Sequence, residues 1–226
     1  MRILLTNDDG VGAPGLIALE GIIGGDATVI APDRHLSGCS HAVTTWQGPI
    51  RVEQRGPKLW AIEGTPADCV RLGLDRLASD ADVVIAGINP GGNLGADIYY
   101  SGTVAAAREA AFHGKTGIAV SHYRKRGMDF DWPRAAQWTR RVLDDLMQRE
   151  QSARAYWNVN LPHLTAAEPD PEVVYCEPCK QPLPLRYRVQ GEHFHYEGDY
   201  QLRPADPDAD VALCFGGKIT VSLIPL

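Results

Sequence analysis

Apolar and polar positions follow one another along the chain in two rhythms, and their order predicts the fold. Residues 2–6 are a short run rich in Ile and Leu, stopped by Asn7, Asp8, Asp9 and Gly10, which is how a buried strand ending in a loop reads. Behind Pro14, a residue tolerated in a first helical turn, Leu16, Leu19, Ile22 and Ile23 recur at helical spacing. A second apolar run at 27–31 completes a strand, loop, helix, strand unit, the signature of a parallel sheet with a right-handed crossover. The rhythm then repeats: a helix over 66–77, a strand over 83–88, an alanine-rich helix over 103–112, a strand over 118–121 and a long amphipathic helix over 132–147. Between the second strand and the next helix, residues 42–62 are punctuated by Gly48-Pro49 and Gly56-Pro57 and read as a hairpin or extended excursion. From about residue 170 prolines are frequent, strands look short and no helical period survives. The expectation is an α/β protein with a Rossmann-like, mainly parallel sheet, flanking helices and a β-rich C-terminal appendage. It is read as one domain over 1–226, with a core of about 1–165 and the appendage over about 166–226.

Composition narrows the function classes. At 226 residues and 44% hydrophobic side chains, the chain is long enough to bury a substantial core. A net charge of -6, with Lys and Arg spread thinly, leaves no electrostatic footprint for duplex nucleic acid, whose binding depends on releasing counterions from phosphates. Five cysteines are too few, and odd in number, for a secreted disulfide framework. With no leader-like start and no apolar run of the ~20 residues that cross a bilayer, the expected setting is the cytoplasm, away from membranes.

Candidate chemistry gathers at three predicted strand ends. Adjacent Asp8 and Asp9 repel each other and resist desolvation unless a cation sits between them, and hard cations such as Mg²⁺ or Mn²⁺ choose oxygen ligands. The bland reading makes one acid a helix cap and leaves the other solvated. Ser37, after the second strand, can add a hydroxyl oxygen, and Asn89, after the third parallel strand, a carbonyl oxygen. Open α/β sheets place ligands at this carboxyl edge. Gly87 to Gly95 is a glycine-rich turn, and the stretch after it runs through Ser101 and Thr103 into the alanine-rich helix. Such a loop can set backbone N–H groups and the two hydroxyls against phosphate oxygens at a helix N-terminus, or the hydroxyls can cap the helix.

Two rivals share parts of this pattern. Gly10, Gly12 and Gly15 satisfy the dinucleotide fingerprint, with Asp33 where a ribose-binding acid would stand, but Asp8 and Asp9 would repel a pyrophosphate there. A phosphorelay receiver needs a phosphate-accepting Asp where this chain has Asn89, which cannot form an acyl phosphate.

The ordered motifs NDDG at 7–10, APDR with Ser37-Gly38, GTPADCV at 64–70, GIN at 87–89, GGNLGADIYYSGTVAAAREA at 91–110 and NVNLP at 158–162 resemble the SurE family of 5′/3′-nucleotidases. GKITVSLIPL at the C-terminus is similar to that family's closing strand. The resemblance implies one divalent metal ion per subunit, Mg²⁺ or Mn²⁺, on Asp8, Asp9, Ser37 and Asn89, and a phosphate near Asn93, Ser101, Gly102 and Thr103. It implies hydrolysis of nucleoside 5′-monophosphates, with the choice between 5′- and 3′-monophosphates left open, by an acid-phosphatase-like phosphoric monoester hydrolase in which Asp8 and Asp9 are catalytic. It also implies a homodimer or homotetramer assembled through the C-terminal appendage. The chain departs from the family at Leu36, where a basic residue is usual, and at Cys39 and His41, where small polar residues are usual. The competing readings are a nucleotide or phosphate sensor without catalysis and a dinucleotide oxidoreductase. Cys176 and Cys179, His193 and His195, and the basic run Arg124 to Arg126 are read as structural or solvated.

Overall fold

A computed structural model of the chain describes residues 1–25, 27–149 and 154–226. The expected opening unit is present as β1 (Ile3–Thr6), α1 (Pro14–Ile23) and β2 (Ala27–Pro32). The punctuated excursion folds into an antiparallel hairpin of β3 (Val52–Gly56) and β4 (Leu59–Ile62), turning at Gly56-Pro57. Then come α2 (Pro66–Leu72), β5 (Val83–Asn89), α3 (Gly102–Phe112), β6 (Thr116–His122) and α4 (Trp132–Leu146). Helix α2 is shorter than the 66–77 expectation, because at Gly73 the winding widens to π geometry over Gly73–Leu77. Its start carries a reciprocal cap: the Thr65 hydroxyl accepts from Asp68 N–H, and the Asp68 carboxylate accepts from Thr65 N–H.

One nine-stranded sheet runs β3-β4-β2-β1-β5-β6-β7-β11-β8, where β7 is Ala155–Leu161, β8 Val173–Tyr175 and β11 Ile219–Pro225. The six strands from β4 to β7 are mutually parallel, whereas β11 returns antiparallel to β7. From β1 the chain winds outward through β2, then crosses to β5 and winds the other way. The gap between β1 and β5 is therefore the topological switch point, where such sheets form a crevice.

Period-two alternation sends Ile3, Leu5, Val29 and Ile85 to one face, where they pack with Leu16 and Leu19 of α1 and Val142 and Leu143 of α4. Leu4, Ile30, Val84 and Ala86 point to the other face, against Cys69 and Val70 of α2 and Ala106 and Ala110 of α3. The C-terminal region departs from the expectation in two details. It contains a six-residue helix, α5 (Asp210–Phe215), too short for a period to register, and its last strand lies inside the main sheet. The separate hairpin of β9 (Tyr187–Gln190) and β10 (His193–Tyr196) is the part that stands apart from that sheet.

Candidate active site

The three expected oxygen-bearing strand ends are neighbours, because β2, β1 and β5 are adjacent in the sheet. Local bonds fix the first loop: Asn7 Nδ2 donates to the Gly10 carbonyl at 3.0 Å, and its Oδ1 accepts from Gly10 N–H at 3.1 Å. The buried Asn7 thereby shapes the turn, and Asp8 and Asp9 ride on it. Gly10, at φ 104°, lies against the backbone of Arg34, so a Cβ there would meet Arg34 C at 3.3 Å. The loop after β2 is stitched to the same turn by Leu36 N–H donating to the Asp8 carbonyl at 2.7 Å. Ser37 follows directly.

Asp8, Ser37, Asn89, Asn93 and Ser101 line one cavity of about 420 Å³. The Asn89 amide donates to the Gly91 carbonyl at 2.7 Å, which leaves its side-chain carbonyl as a free acceptor. Asp9 stands beside this group: its Oδ1 is 3.1 Å from His35 Nδ1, and its buried Oδ2 has no hydrogen-bond partner. Burial raises the Asp8 carboxyl above its ordinary value, although the Thr103 hydrogen bond works against that. Burial, and then the charge of Asp8, push Asp9 up to about 6. Two desolvated carboxylates, one with an orphaned oxygen, beside a free hydroxyl and a free amide carbonyl form an all-oxygen donor set suited to a hard cation. Among the described residues no three His, Cys, Asp or Glu side chains gather in a metal-holding arrangement, so neutral oxygens would have to complete such a site.

The residues expected around the phosphate take distinct roles. Ser101 caps α3, its hydroxyl accepting from Val104 N–H at 3.1 Å, and it also lines the cavity. Thr103 is fully buried, and its hydroxyl donates to Asp8 Oδ1 at 2.5 Å. Its proton is therefore committed to orienting the carboxylate. Gly102 lets the helix start touch the acid, since a Cβ there would lie 2.8 Å from Cys39 Sγ and 3.1 Å from Asp8 Oδ2. In the first turn of α3 the Gly102 N–H precedes any helical acceptor and is available to an anion, whereas the Thr103 N–H is directed at the Asp8 carboxylate.

Sequence reasoning missed what holds Asn93. The Asn93 N–H donates to Asn160 Oδ1 at 2.8 Å, and its carbonyl accepts from Asn158 Nδ2 at 2.8 Å and Asn160 Nδ2 at 3.1 Å. Its own amide donates to Ser121 Oγ at 2.7 Å. Asn158 and Asn160 sit two apart on one face of the buried strand β7. Two asparagines at strand spacing within NVNLP were the available signal, since buried amides need partners. A second clamp comes from the C-terminal region: Tyr200 OH and Arg203 Nη1 both donate to Asp97 Oδ2, at 2.5 and 2.8 Å, and Gly95 N–H donates to Asp210 Oδ2 at 2.8 Å. The glycine-rich loop is thus pinned from both sides.

The remaining flagged residues stay apart from the cavity lining. Cys176 is half-buried and Cys179 buried, both as free thiols, while His193 and His195 are exposed on β10 and Arg124, Lys125 and Arg126 are exposed after β6. His41 tethers the Ser37 loop to α3, its Nε2 lying 2.8 Å from Glu109 Oε2. Arg71 and His113 reach Glu109 Oε1 at 2.8 and 3.0 Å. Burial would raise the Glu109 carboxyl, but these hydrogen bonds outweigh it and hold the group at about 2, below its ordinary 4.5. The unfolded chain therefore takes up the proton first on acidification, so this contribution is complete above pH 4.5 and vanishes as the pH falls toward 2. Glu109→Gln should cost about 2 kcal/mol at pH 7, after allowing for solvent screening at the half-exposed partners. Denaturant melts at pH 7 and pH 3 should show that deficit shrinking at the lower pH; an equal deficit at both would remove the charge from the explanation.

The family described as "Survival protein SurE" matches residues 3–182. The chain belongs to the SurE family. Among SurE relatives it is 50% identical over 223 residues to a protein of Nostoc sp. named as a putative 5′-nucleotidase, covering 98% of each chain. It is 44% identical over 171 residues to the "5′-nucleotidase SurE" of Geobacter sulfurreducens, covering 74% of this chain and 64% of that one. The crystal structure of the SurE protein from Aquifex aeolicus superposes with a TM-score of 0.88 at 28% identity, covering 100% of this chain and 93% of the other. The SurE match takes in each of the Asp8, Asp9, Ser37, Asn89, Asn93 and Ser101 to Thr103 positions, whereas Tyr200, Arg203 and Asp210 lie beyond its end.

Proposed function

We propose that this SurE protein is a divalent-cation-dependent phosphomonoesterase that hydrolyses nucleoside 5′-monophosphates to nucleoside and phosphate, with 3′-monophosphates within its range. The observation that carries this reading is the meeting of Asp8, Ser37 and Asn89 in one cavity with Asn93 and the N-cap of α3. The relatives named as 5′-nucleotidases supply the substrate class. Asp8, Asp9, Ser37 and Asn89 are the residues that would hold one Mg²⁺ or Mn²⁺ ion, which when bound supplies charge neutralisation for the phosphoryl group.

The chain's own groups do the rest. The Gly102 N–H would take a phosphate oxygen at the positive end of α3, and Asn93, held by Asn158, Asn160 and Ser121, lines the same cavity. Thr103 holds Asp8 by one oxygen, so the carboxylate presents a single fixed oxygen to the site. Asp8 and Asp9 are the two carboxylates from which a base for the attacking water would come. As the new phosphorus–oxygen bond forms and the ester bond breaks, the water's proton can pass to the departing nucleoside oxygen.

The proposal extends to one domain over 1–226, to the cytoplasm, and to a homodimer or homotetramer joined through the C-terminal region. Tyr187, Val189, Phe194 and Tyr196 are all exposed on the β9–β10 hairpin, which supports an interface there. No helix among the described residues is long and apolar enough to cross a membrane.

Phosphate release from a panel of nucleoside monophosphates, with Mn²⁺, with Mg²⁺ and with EDTA, tests the activity. Release with metal and its loss with chelator are expected. Nucleotide binding without release of phosphate would make the protein a sensor instead.

A further inference from the structure

The cavity lined by Asp8 is larger than its phosphate chemistry requires, and its lining is of two kinds. At about 420 Å³ it lies within the roughly 300–1,000 Å³ of small-molecule sites and has room well beyond a phosphate group. Alongside the oxygen donors, the lining includes Tyr100, Leu183 and Tyr200. Tyr100 is 61% exposed although it directly precedes the N-cap Ser101, so a large ring stands in solvent one residue from the anion cradle. Tyr200 is immobilised: its hydroxyl is spent on Asp97 at 2.5 Å, its ring carries the Arg203 guanidinium at 4.9 Å, and Arg203 is itself pinned on Asp97 with its side chain fully buried. Leu183 adds a half-buried aliphatic surface from the stretch between Cys179 and the hairpin.

An aromatic side chain kept exposed, a second one fixed in place and an aliphatic contact are what an uncharged planar group needs, and none of them serves a phosphate. The wall they form joins two parts of the chain, since Tyr100 lies within the SurE match and its two partners do not. The candidate metal and phosphate residues fall within the SurE match over 3–182, whereas Leu183 and Tyr200 lie past its end.

We propose that Tyr100, Leu183 and Tyr200 form the nucleoside-facing wall of the site, binding base and ribose by stacking and apolar contact, and that the C-terminal region thereby sets substrate choice. The inference rests on the phosphomonoesterase reading for the identity of the ester and on the wall alone for the nucleoside. Stacking on an aromatic face is tolerant of base identity, so the wall selects nucleotides over other phosphate esters and discriminates weakly among bases.

The test uses the full chain, with Tyr100→Ser and Leu183→Ala as separate variants, both at solvent-accessible positions. Adenosine 5′-monophosphate and β-glycerophosphate are compared as substrates, and adenosine alone is titrated by calorimetry. In each variant the ratio of kcat/KM for the nucleotide to that for β-glycerophosphate should fall about tenfold, mainly through KM for the nucleotide. That is the scale of one lost stacking contact. Adenosine binding should weaken by a similar factor. If the wild type cleaves neither ester but loses adenosine affinity in the variants, the wall stands and the phosphatase reading fails. If the wild type binds no adenosine, or both variants bind it as tightly as the wild type, the wall is overturned whichever ester is cleaved.

Discussion

Asp9→Asn should reduce metal-dependent phosphate release by about a thousandfold while leaving the metal-free protein at least as stable as the wild type. Asparagine keeps the shape and one carbonyl oxygen but, on the proposed reading, removes negative charge that would hold a divalent ion and a carboxylate that could serve as base. A loss on that scale corresponds to about 4 kcal/mol of transition-state stabilisation. Stability moves the other way because the Asp9 side chain is only 9% exposed, pressed against Asp8, with one oxygen lacking any partner. Keeping that carboxylate ionised opposes folding when no cation is present. The single offset is His35, itself 61% exposed, and exposed pairs contribute little. Thermal melts in EDTA at pH 8 should therefore show an unchanged or higher Tm for the variant. A Tm lowered by several degrees would mean that the carboxylate is a structural element.

Gly15→Ala is expected to have the largest effect on the fold, and through the fold on the site. A Cβ at position 15 would lie 1.9 Å from the Ile88 carbonyl oxygen and 3.1 Å from Trp132 Cζ3. The two nearest atoms, Ile88 O and C, are main chain at the end of β5, so the clash cannot be relieved by a side chain swinging away. The expected cost is about 3 kcal/mol or more, a fall in Tm of roughly 6–12 °C for a chain of this length. Because Asn89 follows Ile88, activity at low temperature should fall as well. Gly12→Ala is the control: nothing lies within 4 Å of its Cβ position, and its Tm should stay within about 2 °C of wild type. The contrast also explains the dinucleotide-like spacing. Gly10 serves a left-handed turn and Gly15 a helix-to-strand approach, so two of the three glycines are accounted for by the backbone.

Features set by neighbouring residues were readable from the sequence. The strand-then-NDDG boundary, the alternation that divides Leu4 from Leu5, and the N-cap ahead of α3 all depend on side chains a few positions apart. The convergence of Ser37 and Asn89 on Asp8 was also readable, because parallel strands that alternate with helices must end at one edge. The roles of Thr103, Tyr200 and Arg203 were not. Thr103 bonds Asp8 across 95 residues, and Tyr200 and Arg203 reach Asp97 across 103 and 106. Such partners follow from the path of the chain and leave no periodic trace. The same holds for α5, whose six residues turn less than twice and owe their place to Val211 and Cys214 packing beside Leu94 and Tyr123.

Crystals soaked in Mn²⁺ and measured at its absorption edge decide whether Asp8, Asp9, Ser37 and Asn89 share one ion. One anomalous peak per chain is expected within coordinating distance of the Asp8 and Asp9 carboxylates, with the Ser37 hydroxyl and the Asn89 carbonyl oxygen in the same shell. A site left without manganese, or an ion bound elsewhere with Ser37 and Asn89 turned away from the acidic pair, would contradict that assignment.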